Sequence, residues 1–408
     1  MTTTTLKSID DLPEFPVDDL FAESAVPYEI LAECRAKSPL MRVPMGFPMG
    51  LRHRHIEAMV NDSVTRQLET ESKILQGITS GPIYDLADLA MLTANGEAHM
   101  RRRMPVARTF AFKLMDAMRP RVTELVSEIV TERLGAGPVD FVEEVASELP
   151  ARIIAEILGI PMSDVPVFRQ WIQDTAAALG YVEPEHRERI EASLSAFAGY
   201  VSDLLADRRA APRDDFLTDY VQATAASGDM SEGEIRTQVL GLILAGSDTT
   251  RGSLCMTLSE LLQHPDQWRA FCADPDGLKR GAVEEGIRFQ PVISALARVA
   301  IKDFELDGYL IPDGCMITIS LVSAMRDPDV FSNPDAFDIR RKDHPRWNFV
   351  FGAGAHRCVG EALARAEMEE ALATIARLAP NTTLVGDPPA LAPGAIRQVG
   401  PMSVAFEA

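Results

Sequence analysis

The stretch Phe351-Gly-Ala-Gly-Ala-His-Arg-Cys-Val-Gly360 decides how this chain is read, and a strong helical pattern follows it at once. Its glycines permit turns that other residues resist, and they let a large group approach the main chain. Cys358 stands just before a helix N-terminus, where the macrodipole and free N–H groups favour a thiolate. A thiolate held by N–H donors beside a flat ligand is what haem ligation needs. The plain alternative is a glycine-rich loop with an incidental buried thiol.

A second segment upstream carries chemistry. Ser231-Glu-Gly-Glu234 has the S-x-x-E form of a capping box. Apolar residues continue to about Leu262, and His264–Pro265 stops the pattern. At 1.5 Å per residue the predicted helix is roughly 50 Å long. It is apolar nearly all round and so belongs in the interior. Its middle reads Ala245-Gly-Ser-Asp-Thr-Thr250, a poor choice for a buried helix. A carboxylate there costs several kcal/mol without partners, and Thr hydroxyls bond back to the preceding turn and bend the helix. Such a local conflict marks a functional site; a packing kink with a capped Asp is the alternative.

Around these segments the pattern is mainly α with a minor β part at the two ends of the sequence. Amphipathic stretches cover Leu114–Leu134, Val139–Leu158, Val165–Leu179, Arg187–Arg209 and Glu361–Leu378. Residues 41–50 predict a short hairpin. Phe304–Leu306, Tyr309–Ile311 and Met316–Leu321 predict strands, and Thr383–Phe406 a final hairpin-like segment. Residues 1–14 are expected to be a flexible terminus, and 15–408 a single domain with no linker to divide it.

The 408 residues carry 40 Lys+Arg against 60 Asp+Glu, a formal net charge of -20. Such a surface repels phosphate backbones, which argues against nucleic acid as a partner. No apolar run approaches the roughly 20 residues needed to span a bilayer, and the start lacks a basic, apolar leader. The five cysteines are odd in number and widely spaced, which argues against a disulfide framework or zinc cluster. A cytoplasmic protein is expected. His53 and His55, if on one strand face, hint at metal. With arginines around them and no adjacent carboxylate, a solvated edge is the preferred reading.

The cysteine loop resembles the F-G-x-G-x-H-x-C-x-G signature of the cytochrome P450 family at Phe351, Gly352, Gly354, His356, Cys358 and Gly360. Ala245–Thr250 is similar to the family's oxygen-activation stretch, Glu285-Gly-Ile-Arg288 to its E-x-x-R, and Pro334–Phe337 with Arg341 to its meander. His99 and Arg103 stand where soluble bacterial members have H-x-x-x-R. The resemblance runs from about Phe15 to Phe406. It implies the P450 fold, with a long central helix across the haem.

The resemblance implies that Cys358 is the axial ligand of haem b, with Phe351, Gly352 and Gly360 shaping the loop. The propionates would be met by His99, Arg103, Arg298 and His356. Asp248 and Thr249 would be the acid–alcohol pair: the hydroxyl holds an ordered water at the reacting oxygen, and the carboxylate delivers protons. Glu285, Arg288 and Arg341 would form a structural triad. The pocket walls would include Gly241, Leu244, Ala245, Val292, Ser294, Ala295 and Ile396, with Ser294 and Arg397 able to orient a polar group. The loops Ile78–Leu92 and Leu179–Glu185 would flank helices that open and close.

The implied activity is monooxygenation of a small to medium apolar molecule, by hydroxylation or O-dealkylation. It would use O2 and electrons from NAD(P)H through a reductase and a ferredoxin. Arg101, Arg102, Lys113, Arg340, Lys342, Arg357 and Arg365 are the expected docking set, and the protein is expected to be a monomer without membrane attachment. A peroxide-driven haem-thiolate peroxygenase is the rival enzyme, and a haem-binding sensor or carrier the rival from another class. The acid–alcohol pair argues against both.

Overall fold

The computed structural model describes residues 6–16, 27–110 and 117–408. The chain divides into two compact units, each discontinuous. One comprises Met1–Leu68, Gly281–Cys358 and Ala390–Gly400; the other comprises Glu69–Arg280, Val359–Pro389 and Pro401–Ala408.

The first unit is built on a five-stranded sheet in the order Leu40–Arg42, Pro48–Gly50, Met316–Ser320, Ala295–Ala300, Thr65–Gln67. The hairpin expected at 41–50 is its edge, with Met41 opposite Met49. Met316–Ser320 is rich in β-branched residues, which suit a pleated surface. Its Ile317 and Ile319 are fully buried against Leu40, Ile56, Met59 and Leu321. Phe304–Leu306 turns into Tyr309–Ile311 through Asp307 and Gly308, which both have positive φ (49° and 83°). A two-residue hairpin matched to strand twist needs that geometry. Lys7–Ser8 adds a parallel strand to the same ribbon, Lys7 opposite Tyr309. This corrects the flexible terminus expected to residue 14: from Lys7 on, backbone pairing holds it.

The histidine cluster is also corrected. Residues His53–Met59 are a short helix, not a strand, and both histidines are buried. The ring of His55 lies 2.8 Å from the Asp307 carboxylate, through Nε2. His53 packs its ring on Phe331 and Phe349. Burial, opposed by Asp327 beside it, lowers the pKa of His53; the cluster is buried and is not a solvated edge.

The second unit is helical. The central helix spans Glu232–Gln263, capped as expected: Ser231 Oγ accepts from the Glu234 N–H at 3.2 Å, and Glu234 Oε2 accepts from the Ser231 N–H at 2.8 Å. Val239, Ile243, Leu254, Cys255, Leu258 and Leu261 along it are fully buried. Helices Glu148–Leu158, Val165–Thr175, Arg187–Ala210 and Glu361–Leu378 pack around it. Two amphipathic stretches break where the sequence looked continuous. Val139–Leu158 begins as a strand (Pro138–Asp140) and passes through a π-helical turn before its helix. Val165–Leu179 tightens to a 3₁₀ turn after Thr175. The C-terminal hairpin forms between Thr383–Leu384 and Ser403–Ala405, and Pro138–Asp140 joins it as the third strand. Among the described residues no helix is long and apolar enough to cross a membrane.

Candidate active site

The cysteine loop lies in the first unit as far as Cys358. Asn348 starts it by accepting the Val350 N–H on its side chain, 3.1 Å. The main chain then folds back on itself: the Cys358 N–H donates to the Phe351 carbonyl at 2.7 Å, and Gly352 to Phe349 at 2.8 Å. Gly352 and Gly354 take φ of 70° and 60°, a region that side chains resist. None of the ten residues from Phe351 to Gly360 is buried, and the Cys358 side chain is exposed and in no disulfide. The helix Glu361–Leu378 starts three residues later.

Glu285 and Arg288, three residues apart on one helix, meet Arg341 in the same unit. Arg288 forks onto Glu285 at 2.7 and 2.8 Å, and Arg341 Nε lies 3.0 and 3.2 Å from the same carboxylate. Glu285 and Arg288 are fully buried. The remaining donors reach carbonyls: Arg288 those of Met325, Pro334 and Ala336, and Arg341 those of Ser332, Asn333 and Ala336. The triad thus fastens the irregular 325–341 segment to a helix. Gly281 completes the contact, because a Cβ there would meet the Ile339 carbonyl oxygen at 2.2 Å.

The second unit holds the central helix. Thr249 donates to the Ala245 carbonyl at 2.7 Å, the back-bond expected of a mid-helix Thr. Asp248 is buried and paired with Arg251 one turn on. A small pocket of about 20 Å³, room for a single water, adjoins the carboxylate. Ser147, Ser247, Arg169, Gln173 and Arg251 line it, together with the apolar Ala151 and Ile172. The hydroxyls of Ser147 and Ser247 are buried there without a protein partner among the described residues. Sequence reasoning missed Arg251 and this cavity. The i, i+3 spacing of Asp248 and Arg251 was the available signal for the first; the second depends on tertiary packing.

The other expected residues are placed as follows. His99 is buried and Arg103 half-buried, both on the helix Gly96–Thr109. His356 is half-buried within the cysteine loop. Arg298 is buried, with Nη2 2.5 Å from Asp62 and Nε donating to Thr65 at 3.1 Å. Val292, Ser294, Ala295 and Ile396 come together in the first unit, where Ile293 pairs with Ile396 and the Arg397 N–H donates to the Val292 carbonyl. Ser294 and Arg397 are both buried; their side chains donate to the carbonyls of Ala395 (3.5 Å) and Pro291 (3.2 Å). On the central helix Leu244 is buried, whereas Gly241 and Thr249 are half-buried and Ala245 is exposed. The docking set is corrected in part. Arg102 is buried, and both Arg101 and Arg102 bind Glu234, at 2.6 and 2.9 Å. Lys113 lies outside the described residues.

These residues fit a haem. Gly241, Ala245 and Thr249 recur every four residues, so they share one helix face. That face is uncovered on an otherwise buried helix, and a Cβ added at Gly241 or Gly246 would meet nothing within 4 Å. A flat group can lie against such a bare stripe. The donor set offers an exposed thiol for iron and several cations for two carboxylates.

The cytochrome P450 family model matches residues 27–271 and 278–378. The plant-inducible cytochrome P450-pinF1 of Rhizobium radiobacter is 38% identical over 391 residues, which cover 95% of this chain and 92% of that protein. The steroid C26-monooxygenase of Rhodococcus jostii is 29% identical over 414 residues, covering 97% and 86%. Among solved structures, CalO2 superposes with a TM-score of 0.87 at 27% identity, over 97% of this chain and 99% of that one. The family match defines a haem-thiolate oxygenase. The chain belongs to the cytochrome P450 family. It is a monooxygenase whose cofactor is haem b and which draws on O2 and redox partners.

Proposed function

We propose that this enzyme hydroxylates or O-dealkylates a small to medium apolar molecule, with electrons passed from NAD(P)H through a reductase to an acidic ferredoxin. The observation that carries the reading is the placement of buried Asp248 beside a water-sized pocket, next to Thr249 on the bare stripe of the central helix. A proton relay of this kind serves O2 activation; a peroxide-driven enzyme needs none. In this reading Cys358 is the axial thiolate, with His99, Arg103, Arg298 and His356 serving the propionates. Haem b supplies the iron at which O2 is activated. Thr249 orients a water at the reacting oxygen, and Asp248 hands it protons drawn through the cavity.

Gly241 and Ala245 on the central helix are small, and Val292, Ala295 and Ile396 in the first unit are apolar; each set suits an apolar substrate. Relatives extend the size range to steroids, the named substrate class of the Rhodococcus jostii protein. The test is a panel of terpenoids, aromatic ethers and steroids, screened for a substrate-induced spin change. Hits are then run with NADPH, ferredoxin and reductase, or with peroxide alone. Product dependent on ferredoxin supports the reading. Equal or better turnover with peroxide favours the peroxygenase, and a spin change with no product under either regime favours a carrier.

A further inference from the structure

Lys73, in the short helix Glu71–Ile74 of the second unit, is only 4% exposed. Its ammonium has three N–H donors to satisfy. One reaches the Gly180 carbonyl at 2.5 Å, and among the described residues no carboxylate pairs with the amine. The acids nearest in sequence are Glu69 and Glu71 on its own segment, Asp85 and Asp88 on the helix Pro82–Leu89, and Glu183 beyond Gly180. Glu71 is half-buried, the other four are exposed, and none of them shifts the amine. Burial alone lowers its pKa, from 10.5 to about 8. At neutral pH the fold thus holds a buried charge with no counter-charge, an arrangement that costs stability. Fastening the loop does not require it. Gln76, three residues on, does so with a neutral side chain: Oε1 accepts from the Val182 N–H at 2.8 Å and Nε2 donates to the Ser72 carbonyl at 2.7 Å.

The two segments that meet at this amine are otherwise apolar. Ile78 and Val182 are buried, and Ile74, Leu75 and Tyr181 stand exposed. Both segments pack on Pro82–Leu89: the helix Glu71–Ile74 from one side of the sequence and the turn Ala176–Leu179 from the other. Pro82–Leu89 in turn packs on the central helix, which carries the bare stripe. A lone cation in an apolar setting suits a ligand with an apolar body and one anionic end. A buried, unpaired charge of this kind marks a functional position more readily than a structural one.

We infer that the Lys73 ammonium determines specificity by receiving the carboxylate of the substrate, an apolar acid. The inference rests on the apolar-substrate reading above and adds a charge to one end of that molecule. The Gly180 carbonyl takes one N–H and orients the amine, and the other two donate to the carboxylate. The acid supplies the counter-charge that the fold leaves out, in a site dry enough to strengthen the pair. Its charged end is then fixed between the two segments, and its apolar end is the one left for oxidation.

The test is a spectral titration of the haem-loaded protein with benzoic, arylalkanoic and straight-chain fatty acids, each beside its methyl ester. At pH 7 the best acids are expected to bind at least tenfold tighter than their esters. Their affinity should fall as pH rises above about 8, where the amine gives up its proton, while ester affinity stays flat. Lys73→Met is expected to weaken the acids tenfold or more and to leave the esters and the ferrous–CO spectrum unchanged. Lys73→Arg should keep the preference for acids. Equal weakening of acid and ester in Lys73→Met would make the amine a loop fastener only and overturn the inference. Loss of haem from that variant would assign the amine to a propionate and overturn it too. Esters that match the acids on wild type would overturn it while leaving the apolar-substrate reading in place. If neither class perturbed a wild-type protein with a thiolate-type CO spectrum, the apolar-substrate reading would fall and take the inference with it.

Discussion

Arg251 holds the carboxylate of Asp248 from one turn further along the central helix. The two neighbours in sequence, Asp248 and Thr249, therefore have different surroundings: the acid has a cation and a water-sized pocket, the alcohol a backbone carbonyl. This division gives separate outcomes for the two positions. Thr249→Ala keeps the proton source but loses the water-holding hydroxyl, so electrons are consumed without matching product. Asp248→Asn slows turnover, by about a hundredfold at the lower end of what a positioned proton donor contributes. Arg251→Gln keeps the carboxylate and slows turnover less. NADPH consumption and product, measured together, separate the three.

The triad is structural. Glu285 is buried between two arginines, and removing one member of a buried ion pair leaves an uncompensated charge that costs about 3–5 kcal/mol. Glu285→Ala is expected to lose about that much stability, and to lose haem as the 325–341 segment comes free. Denaturant unfolding and the haem-to-protein absorbance ratio report the two effects. A variant with wild-type stability would remove the triad from the account.

Glu367, on the helix Glu361–Leu378, is fully buried, and its Oε2 has no protein partner among the described residues. Burial pushes its pKa well above the ordinary 4.5. The folded state therefore holds this proton where the unfolded state has released it. The stabilising contribution is complete below about pH 4.5 and is lost as pH rises towards the folded value. Glu367→Gln removes that dependence. The stability of wild type relative to the variant should fall between pH 5 and pH 8, read from paired denaturation curves.

Two side chains just before Ile78 hold the loop Leu179–Glu185, one of those the family resemblance assigns to gating. Lys73 donates to the Gly180 carbonyl at 2.5 Å, and Gln76 Oε1 accepts from the Val182 N–H at 2.8 Å. Lys73 is 4% exposed, and burial lowers its pKa from 10.5 to about 8. Between those values the folded protein has given up a proton that the unfolded chain still binds, so stability gains with pH across that window. Below pH 8 the buried charge is a standing cost. Relative to Lys73→Met, wild type should gain stability from pH 8 to pH 10. The variant should also exchange amide hydrogens faster at 176–185. Unchanged exchange there would show that the amine does not fasten the loop.

The elements most legible in the sequence were those whose signal is local. The capping box at Ser231 and Glu234 fixes the start of the central helix within one residue. Glu285 and Arg288 meet because i, i+3 positions share a helix face. Pairings between distant residues left no such trace. Lys7–Ser8 is a two-residue strand held by main-chain bonds to Tyr309 and Leu310, so side-chain pattern could not announce it. His55 is buried because Asp307, far along the chain, supplies an acceptor. Arg101 and Arg102 look like free surface charge until the fold brings Glu234 to them. The break at Val142 depends on a π-helical turn within a stretch whose periodicity is helical throughout.

The central claim is that Cys358 binds the haem iron as a thiolate. The absorption spectrum of the ferrous protein with CO tests it most directly, recorded for wild type and for Cys358→Ser. A strongly red-shifted Soret band in wild type, lost in the variant, is the predicted result. A histidine-type Soret band in wild type, or a red-shifted band that survives Cys358→Ser, would contradict it.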